Sequence, residues 1–171
     1  MLNIGIIGLG YWGPNLLRNF SNNKGCQVSA ICDTNKSLLN KYKKTHPKLN
    51  LYSDYKKLIS NNEIDACVIA TPVMTHFKIA SFALKNFKHV FVEKPLALTL
   101  EDTDILVEAS DKTGVELRIG YSRRHDRRWM MAKEQIQQGR LGTVLGIQSR
   151  VYNTRSHMGE ILKRSPDATP V

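Results

Sequence analysis

The strongest constraint on the fold lies at the start of the chain, where a short apolar run is followed by three glycines at fixed spacing. The sequence IGIIGLGYWG occupies residues 4–13, so a strand-like segment leads into Gly-x-Gly-x-x-Gly. Pro14 then suits the first turn of a helix, where no N–H is needed. In such a unit Gly8 permits the tight turn, Gly10 lets the backbone approach a pyrophosphate, and Gly13 lets helix and strand pack closely. The pattern predicts a dinucleotide-binding turn, against the alternative of an ordinary flexible loop.

An acidic residue stands where this kind of turn needs one. Asp33 follows the apolar segment 28–32, about 20 positions after the glycines, and is predicted to accept hydrogen bonds from the adenosine ribose. A carboxylate there favours a free 2′-hydroxyl and repels a 2′-phosphate, so we expect NAD rather than NADP. Lys36 lies nearby in sequence, and its positive charge keeps NADP as an alternative cofactor. The alternative for Asp33 is a solvated turn carboxylate.

The composition is that of a globular protein with one domain of ordinary size. The chain has 171 residues, of which 42% are hydrophobic and 23% charged, enough to bury a real core. It has no apolar run of about 18 residues, so no membrane span is expected. Three unevenly spaced cysteines, Cys26, Cys32 and Cys67, form no C-x-x-C pair. With no signal-peptide pattern at the start, this favours reduced thiols in a cytoplasmic protein.

The net charge of +10 raises the question of an anionic partner. Such charge attracts nucleic acid or steers anionic cofactors and substrates. No zinc ligand set, helix-turn-helix signature or RNP-type motif accompanies it. We therefore expect the lysines to form a solvated helix face, with no metal site and with nucleic-acid binding as a minor alternative. The basic residues form two groups: Lys36, Lys41, Lys43, Lys44 and Lys48, and Arg118, Arg123, Arg124, Arg127 and Arg128.

Apolar strands alternate with helical patterns up to residue 120, which predicts a parallel sheet with crossover helices. Six strands complete a doubly wound Rossmann α/β domain, which we place at residues 1–121. Residues 122–171 open with a predicted helix over 127–138 and a strand over 143–152. They are interpreted as the start of a second, incomplete α/β domain. The six predicted strands cover 3–7, 28–32, 49–52, 66–70, 89–92 and 116–119.

Polar and ionisable residues gather after three of these strands. In open parallel sheets, ligands bind outside the carboxyl ends of the strands, so these residues are the candidates for a site. Thr71, Pro72 and His76 follow the fourth strand, Glu93 and Lys94 the fifth, and Tyr121, Arg123 and Arg124 the sixth.

Lys94 is the best catalytic candidate among them. Oxidising an alcohol by hydride transfer needs a group that orients the hydroxyl and helps remove its proton, and the alternative is a surface lysine paired with Glu93. His76 is a candidate for binding substrate or cofactor, or else a helix cap or packing residue. Tyr121 and the two arginines after it either hold an anionic substrate or bridge two domains.

Several short motifs follow one another in a fixed order along residues 2–150. They are Gly8-Leu9-Gly10-Tyr11-Trp12-Gly13, Ala70-Thr71-Pro72, His76, Glu93-Lys94-Pro95, Gly120-Tyr121 and Gly139-Arg140-Leu141-Gly142. In this order the chain resembles the glucose-fructose oxidoreductase, inositol dehydrogenase and MocA (Gfo/Idh/MocA) family, and the Glu-Lys-Pro step is the most specific part of the resemblance.

The resemblance implies an NAD- or NADP-dependent oxidoreductase that acts on sugars, inositols or nucleotide-linked sugars by hydride transfer from a hydroxyl to nicotinamide. It implies that Lys94 lies near the nicotinamide and the reacting hydroxyl, and that the peptide bond before Pro95 is cis. Taken with the motifs above, the predicted cofactor contacts are Gly8, Gly10, Tyr11, Trp12, Gly13, Asp33, Thr71, Pro72, His76, Glu93 and Lys94.

The chain also departs from the family pattern. Family members are usually much longer and carry an Asp and a His, four positions apart on a helix, in a C-terminal domain. Here His157 has Asn153 four positions before it, and Glu160 follows it. We therefore expect a truncated chain that binds the cofactor better than it catalyses, which leaves open a dinucleotide-binding module without turnover. A surface left bare by a missing domain also predicts self-association, with a homo-oligomer as one form.

Overall fold

Six parallel strands form one sheet in the computed structural model, which describes residues 1–150. The strands are β1 (Leu2–Ile7), β2 (Cys26–Cys32), β3 (Asn50–Tyr52), β4 (Ala66–Ile69), β5 (His89–Val92) and β6 (Leu117–Ile119). Their order in the sheet is β3-β2-β1-β4-β5-β6. The direction of winding reverses between β1 and β4, which is the doubly wound Rossmann arrangement. All six predicted strands are confirmed, and none of their ends differs by more than two residues.

Helices connect these strands and end where local chemistry requires. Asp54 begins one helix by accepting a hydrogen bond from the Lys56 N–H at 2.9 Å. Thr99 begins another by accepting from the Asp102 N–H at 3.1 Å, and Gly114 ends it in the left-handed conformation. The predicted caps are confirmed. The helices are α1 (Gly13–Ser21), α2 (Lys36–Thr45), α3 (Tyr55–Ile59), α4 (His76–Lys85), α5 (Leu100–Thr113) and α6 (Arg127–Gln137).

The sheet has a hydrophobic core on each face. On one face Ile6 packs with Leu16 of α1 and Leu39 of α2. On the other, Ile7 packs with buried residues of α3, α4 and α5, because successive side chains of a strand point to opposite faces. A fully buried Leu or Ile contributes about 1.5–3 kcal/mol. This two-sided burial holds the strand ends, and therefore the turns after them, in place.

The surface around α2 carries the predicted lysine face. The lysines between positions 36 and 48 are all exposed, while Leu39 is buried on the inner side of the helix. Asn35 begins α2 by accepting hydrogen bonds from the N–H groups of Ser37 and Leu38. Within residues 1–150, no helix is both long enough and apolar enough to cross a membrane.

The chain divides into two compact units, Met1–Arg123 and Arg124–Val171. The first unit contains the whole sheet. In the second, α6 covers the predicted helix, and the carboxylate of Asp126 accepts a hydrogen bond from the Arg128 N–H at 2.9 Å at its start. That this second unit begins a further α/β domain stays a prediction.

The predicted strand over 143–152 is wrong for the residues that the structure describes. Residues 143–150 form no strand, and positions 151–152 lie outside the described residues, as do Asn153, His157 and Glu160. The apolar side chains of this segment are not packed, and Leu145 is 96% exposed. A strand needs a neighbour to pair its N–H and C=O groups, and an apolar pattern alone does not supply one.

Candidate functional site

The turn after β1 is held between the ends of the two neighbouring strands. The Gly8 N–H donates to the Cys32 carbonyl oxygen at 2.8 Å, and the Ala70 N–H donates to the Ile7 carbonyl oxygen at 2.8 Å. Gly8 has a φ of +95°, and a Cβ on it would stand 2.7 Å from the carbonyl carbon and oxygen of Ala70. Both the backbone conformation and the space therefore require glycine at this position.

The other two glycines of the motif have opposite surroundings. A Cβ on Gly13 would collide with the carbonyl oxygen of Gly8, so Gly13 allows α1 to start directly against the turn. At Gly10, by contrast, no atom of the described residues lies within 4 Å of the position that a Cβ would take. The side of Gly10 that lacks a side chain thus faces open space, as close approach of a pyrophosphate requires.

The beginning of α1 leaves room for an anion in the same place. Trp12 occupies the N-cap position, and within residues 1–150 no side chain makes a capping hydrogen bond there. The first N–H groups of a helix, with the positive end of its dipole, are suited to bind phosphate. The rings of Tyr11 and Trp12 stack 6.4 Å apart beside this helix end, and each is about half exposed. The glycine turn and the helix start together fit a dinucleotide.

Asp33 lies next to the glycine turn and is tied to it. Its Oδ2 accepts a hydrogen bond from the Leu9 N–H at 2.7 Å, and its Oδ1 accepts one from the Asn35 N–H at 2.8 Å. An ionised carboxylate has about four lone-pair positions, so each oxygen can still accept a hydrogen bond from a ribose hydroxyl. The predicted position of Asp33 at the end of β2 is found, and its bond to Leu9 is a feature that sequence reasoning missed.

Two buried cysteines of the sheet, Cys32 and Cys67, have raised pKa values. Burial raises the pKa of Cys32 to about 12, and the carboxylates of Asp33 and Asp54 raise it further. Burial also raises the pKa of Cys67 to about 12, against a smaller lowering effect from the Lys88 ammonium. Neither thiol is a nucleophile near neutral pH, so covalent cysteine chemistry is not part of this site.

Three residues after β4 form a compact polar turn. The Thr75 Oγ1 lies 2.7 Å from both the Thr71 Oγ1 and the Pro72 carbonyl oxygen. This arrangement fixes the turn Val73–Thr75, which leads from β4 into α4. Thr71 and Pro72 therefore stand beside Gly8, at the carboxyl edge of the sheet.

His76 is buried directly behind this turn, with 1% of its surface exposed. Its Nδ1 lies 2.8 Å from the Pro95 carbonyl oxygen, and its Nε2 lies 2.8 Å from the Thr71 carbonyl oxygen. Direct contact between this ring and a cofactor, one of the roles predicted for His76, does not agree with its burial. The alternative of a packing residue describes its surroundings better. The sequence signal was the histidine at the first position of a helix that follows a buried strand.

The segment after β5 presents the catalytic candidate. Lys94 is exposed, and among the described residues no ion pair joins it to Glu93, so the surface-pair alternative is not supported. The Lys94–Pro95 peptide bond is cis, as predicted. The Lys94 N–H donates to the Glu93 carboxylate at 3.3 Å. A Cβ on Gly120 would stand 3.0 Å from that carboxylate, so the glycine directly after β6 leaves this space to Glu93.

The three candidates for substrate contact fall on both sides of the boundary between the units. Tyr121 and Arg123 belong to the first unit, directly after β6, whereas Arg124 belongs to the second. All three side chains are exposed. The described structure therefore gathers the glycine turn, Asp33, Thr71, Pro72, Glu93 and Lys94 along one edge, with Tyr121 and Arg123 after the last strand of that edge.

Comparison with known proteins decides the family. A family model described as "Oxidoreductase family, NAD-binding Rossmann fold" (GFO_IDH_MocA) matches residues 2–121. The chain belongs to the Gfo/Idh/MocA family. The sheet and its glycine turn are the NAD-binding Rossmann domain of this family, so the predicted fold, family and cofactor are confirmed.

Individual members of the Gfo/Idh/MocA family cover this chain almost completely. Inositol 2-dehydrogenase of Salmonella paratyphi B is 34% identical over 158 residues, which cover 89% of this chain and 46% of the relative. The crystal structure of scyllo-inositol dehydrogenase from Lactobacillus casei, with bound NAD(H) and scyllo-inositol, has a TM-score of 0.90 and 26% identity, and the match covers 99% of this chain and 51% of that one. The WlbA dehydrogenase from Bordetella pertussis, in complex with NADH and UDP-GlcNAcA, has a TM-score of 0.77 and 28% identity over 82% of this chain and 43% of that one. The chain spans about half the length of the relatives it matches.

Proposed function

We propose that this Gfo/Idh/MocA chain provides the NAD site of an oxidoreductase that oxidises a hydroxyl group of an inositol- or sugar-type substrate. The observation that carries the proposal is the pair formed by Gly10, whose free side faces open space, and the Asp33 carboxylate at the adjacent strand end. One suits the approach of a pyrophosphate and the other suits a ribose. We expect NAD to bind more tightly than NADP, because Asp33 would repel a 2′-phosphate.

Lys94 is the proposed catalytic residue. When bound, NAD supplies the acceptor for the hydride that leaves the carbon of the substrate hydroxyl. The exposed Lys94 side chain at the end of β5 supports a role in holding that hydroxyl and in receiving its proton at Nζ when the amine is neutral. Glu93, whose carboxylate accepts a hydrogen bond from the Lys94 N–H, supports the backbone from which this side chain extends.

The substrate class is proposed from the relatives, whose names specify inositol, scyllo-inositol and UDP-GlcNAcA. Tyr121, Arg123 and Arg124 are the proposed substrate contacts. Phenol and guanidinium groups donate hydrogen bonds to hydroxyl and carboxylate oxygens. We also propose a cytoplasmic location, which the three free cysteines support. Self-association stays a prediction.

A second candidate function is a dinucleotide-binding module without turnover. The open space at Gly10 and the Asp33 carboxylate, which suit a dinucleotide, support it as much as they support the oxidoreductase. The two functions share the cofactor site and differ only in whether bound NAD is reduced.

Calorimetric titration of the 171-residue chain with NAD and with NADP tests the cofactor site. Saturable binding that prefers NAD is the expected result, and no binding to either dinucleotide would refute the proposed function. Incubation with NAD and myo-inositol, scyllo-inositol or a UDP-sugar, followed by NADH absorbance, then separates the two functions. NADH formation that is abolished by Lys94→Met supports the oxidoreductase, whereas binding without NADH formation supports the module. Retention on DNA that weakens with salt would support the minor alternative of nucleic-acid binding.

A further inference from the structure

His76 connects two loops that are far apart in sequence. Its ring is almost completely buried, and each nitrogen lies 2.8 Å from a backbone carbonyl oxygen, one in Thr71 after β4 and one in Pro95 after β5. Since the ring begins α4, the contact also ties the loops to the helix that packs behind them.

Both loops belong to one half of the cofactor site. A doubly wound sheet consists of two mononucleotide-binding halves, and a dinucleotide lies across the crevice between them. Asp33 and the strands β1–β3 form the half that suits adenosine. The loops after β4 and β5, which carry Thr71 and Lys94, therefore belong to the half that faces the nicotinamide.

We propose that His76 is a positioning residue for the nicotinamide half of the site, an inference that rests on the proposed NAD-binding function. Pro95 directly follows Lys94, so a hydrogen bond to the Pro95 carbonyl fixes the backbone from which the proposed catalytic side chain extends. The hydrogen bond to the Thr71 carbonyl fixes the neighbouring loop after β4. Because carbonyl oxygens only accept, the ring holds both loops when both nitrogens carry hydrogen, and one loop when a single nitrogen does.

The proposal separates two parts of the cofactor. NAD contacts both halves of the site, whereas ADP-ribose lacks the nicotinamide ring and depends mainly on the glycine turn and Asp33. Loss of the His76 contacts should therefore weaken NAD binding more than ADP-ribose binding. A residue that only stabilises the fold would weaken both equally.

Three variants at this position give a graded test. His76→Leu fills the space with no donor, whereas His76→Asn and His76→Gln each keep an amide donor near the positions of Nδ1 and Nε2. Ile79→Ala is the matched control, because Ile79 is buried on the same helix, one turn further on, and contacts neither carbonyl oxygen by hydrogen bond. Affinities for NAD and ADP-ribose are measured by calorimetry for each chain, together with thermal stability.

We expect His76→Leu to lower NAD affinity by about tenfold, the size of one lost hydrogen bond, while ADP-ribose affinity stays within about threefold. The Asn and Gln variants should recover part of the NAD affinity. In Ile79→Ala both affinities should stay close to those of the wild-type chain, although stability falls. Equal loss of NAD and ADP-ribose affinity in all three His76 variants would overturn the proposal.

Hydrogen exchange on the ligand-free chains keeps this test separate from the proposed function. We expect the backbone amides of Lys94, Leu96, Ala97 and Leu98 to exchange faster in His76→Leu than in Ile79→Ala. Unchanged exchange at these amides would show that the contact between His76 and the Pro95 carbonyl does not hold the loop after β5. If the wild-type chain binds ADP-ribose but not NAD, positioning for nicotinamide is overturned. If it binds neither, the proposed function fails as well, and the exchange data still decide whether His76 holds the loops.

Discussion

The Asp33 carboxylate accepts a hydrogen bond from the Leu9 N–H at 2.7 Å, so one acid links the end of β2 to the glycine turn. The start of β1 is held in the same way, since Asp65 accepts a hydrogen bond from the Asn3 N–H at 2.7 Å. The two carboxylates thus make matched contacts at opposite ends of one strand. Only Asp33 stands at the proposed NAD site, so a comparison of Asp33 with Asp65 separates a role in cofactor binding from a role in folding.

Asp33→Asn should weaken NAD binding and narrow the preference for NAD over NADP. The amide lacks the charge that repels a 2′-phosphate, and its NH2 group cannot accept the second of the two backbone N–H bonds. A hydrogen bond to a charged group contributes about 1.5–3 kcal/mol, so a tenfold or greater loss of NAD affinity is expected. Calorimetry with both dinucleotides measures the change. Asp65→Asn is the control, for which we expect a similar loss of stability and an unchanged ratio of NAD affinity to NADP affinity. A changed affinity ratio in Asp65→Asn would contradict the assignment of cofactor preference to Asp33.

Gly8→Ala and Gly10→Ala should have opposite effects on stability and binding. Alanine at Gly8 meets the Ala70 carbonyl at 2.7 Å in a left-handed backbone conformation, and such strain costs about 1–3 kcal/mol. Alanine at Gly10 meets no atom of the described residues within 4 Å, so stability should change by less than about 0.5 kcal/mol. NAD affinity should nevertheless fall at least about tenfold, because the added methyl occupies the space for the pyrophosphate. Urea unfolding and calorimetry measure the two quantities, and a Gly10→Ala chain that binds NAD normally would show that the pyrophosphate lies elsewhere.

The elements that could be predicted from the sequence are those set by local patterns. The strands of alternating or continuous apolar residues, the glycine turn and the caps at Asp54 and Thr99 all depend on neighbours within a few positions. The contacts that complete the site could not be predicted in this way. The bond between Asp33 and Leu9 joins residues 24 positions apart, and it exists because β1 and β2 are adjacent in the sheet.

Buried polar groups show the same limit. The Lys88 ammonium donates to the carbonyl oxygens of Asn61 and Ile64 at 3.0 and 2.7 Å, although a lysine is usually expected at the surface. His76 is buried for a similar reason, because two chain segments present carbonyl oxygens to it. The segment 143–150 is the converse case, in which an apolar pattern pairs with no strand of residues 1–150. In each case burial or strand formation depends on a contact with a distant part of the chain, which the local sequence does not specify.

Gly120→Ala should displace the Glu93 carboxylate. A Cβ at this position would stand 3.0–3.2 Å from the carboxylate atoms, closer than a normal contact, so the Glu93 side chain has to move by a few tenths of an ångström. Removal of the carboxylate should relieve the clash, so Glu93→Ala/Gly120→Ala should be more stable than the sum of the single variants predicts. A double-mutant cycle from urea unfolding measures this coupling. Additive effects of the two substitutions would mean that the carboxylate does not occupy this space.

Two buried thiols should make the fold less stable at alkaline pH. Burial raises the pKa of Cys67 from 9.0 to about 12, and burial with the nearby Asp33 and Asp54 carboxylates raises that of Cys32 from 9.0 to about 12. Above pH 9 the unfolded chain therefore releases protons that the folded chain keeps, so the free energy of unfolding should fall between pH 9 and pH 12. Each thiol contributes a slope of up to about 1.4 kcal/mol per pH unit in this range and none below it. Urea unfolding at a series of pH values should show a shallower slope in Cys67→Ala and a still shallower one in Cys32→Ala/Cys67→Ala. Cys26→Ala removes a half-buried thiol and serves as the control; a slope unchanged by all three sets of substitutions would assign the alkaline loss of stability to other groups.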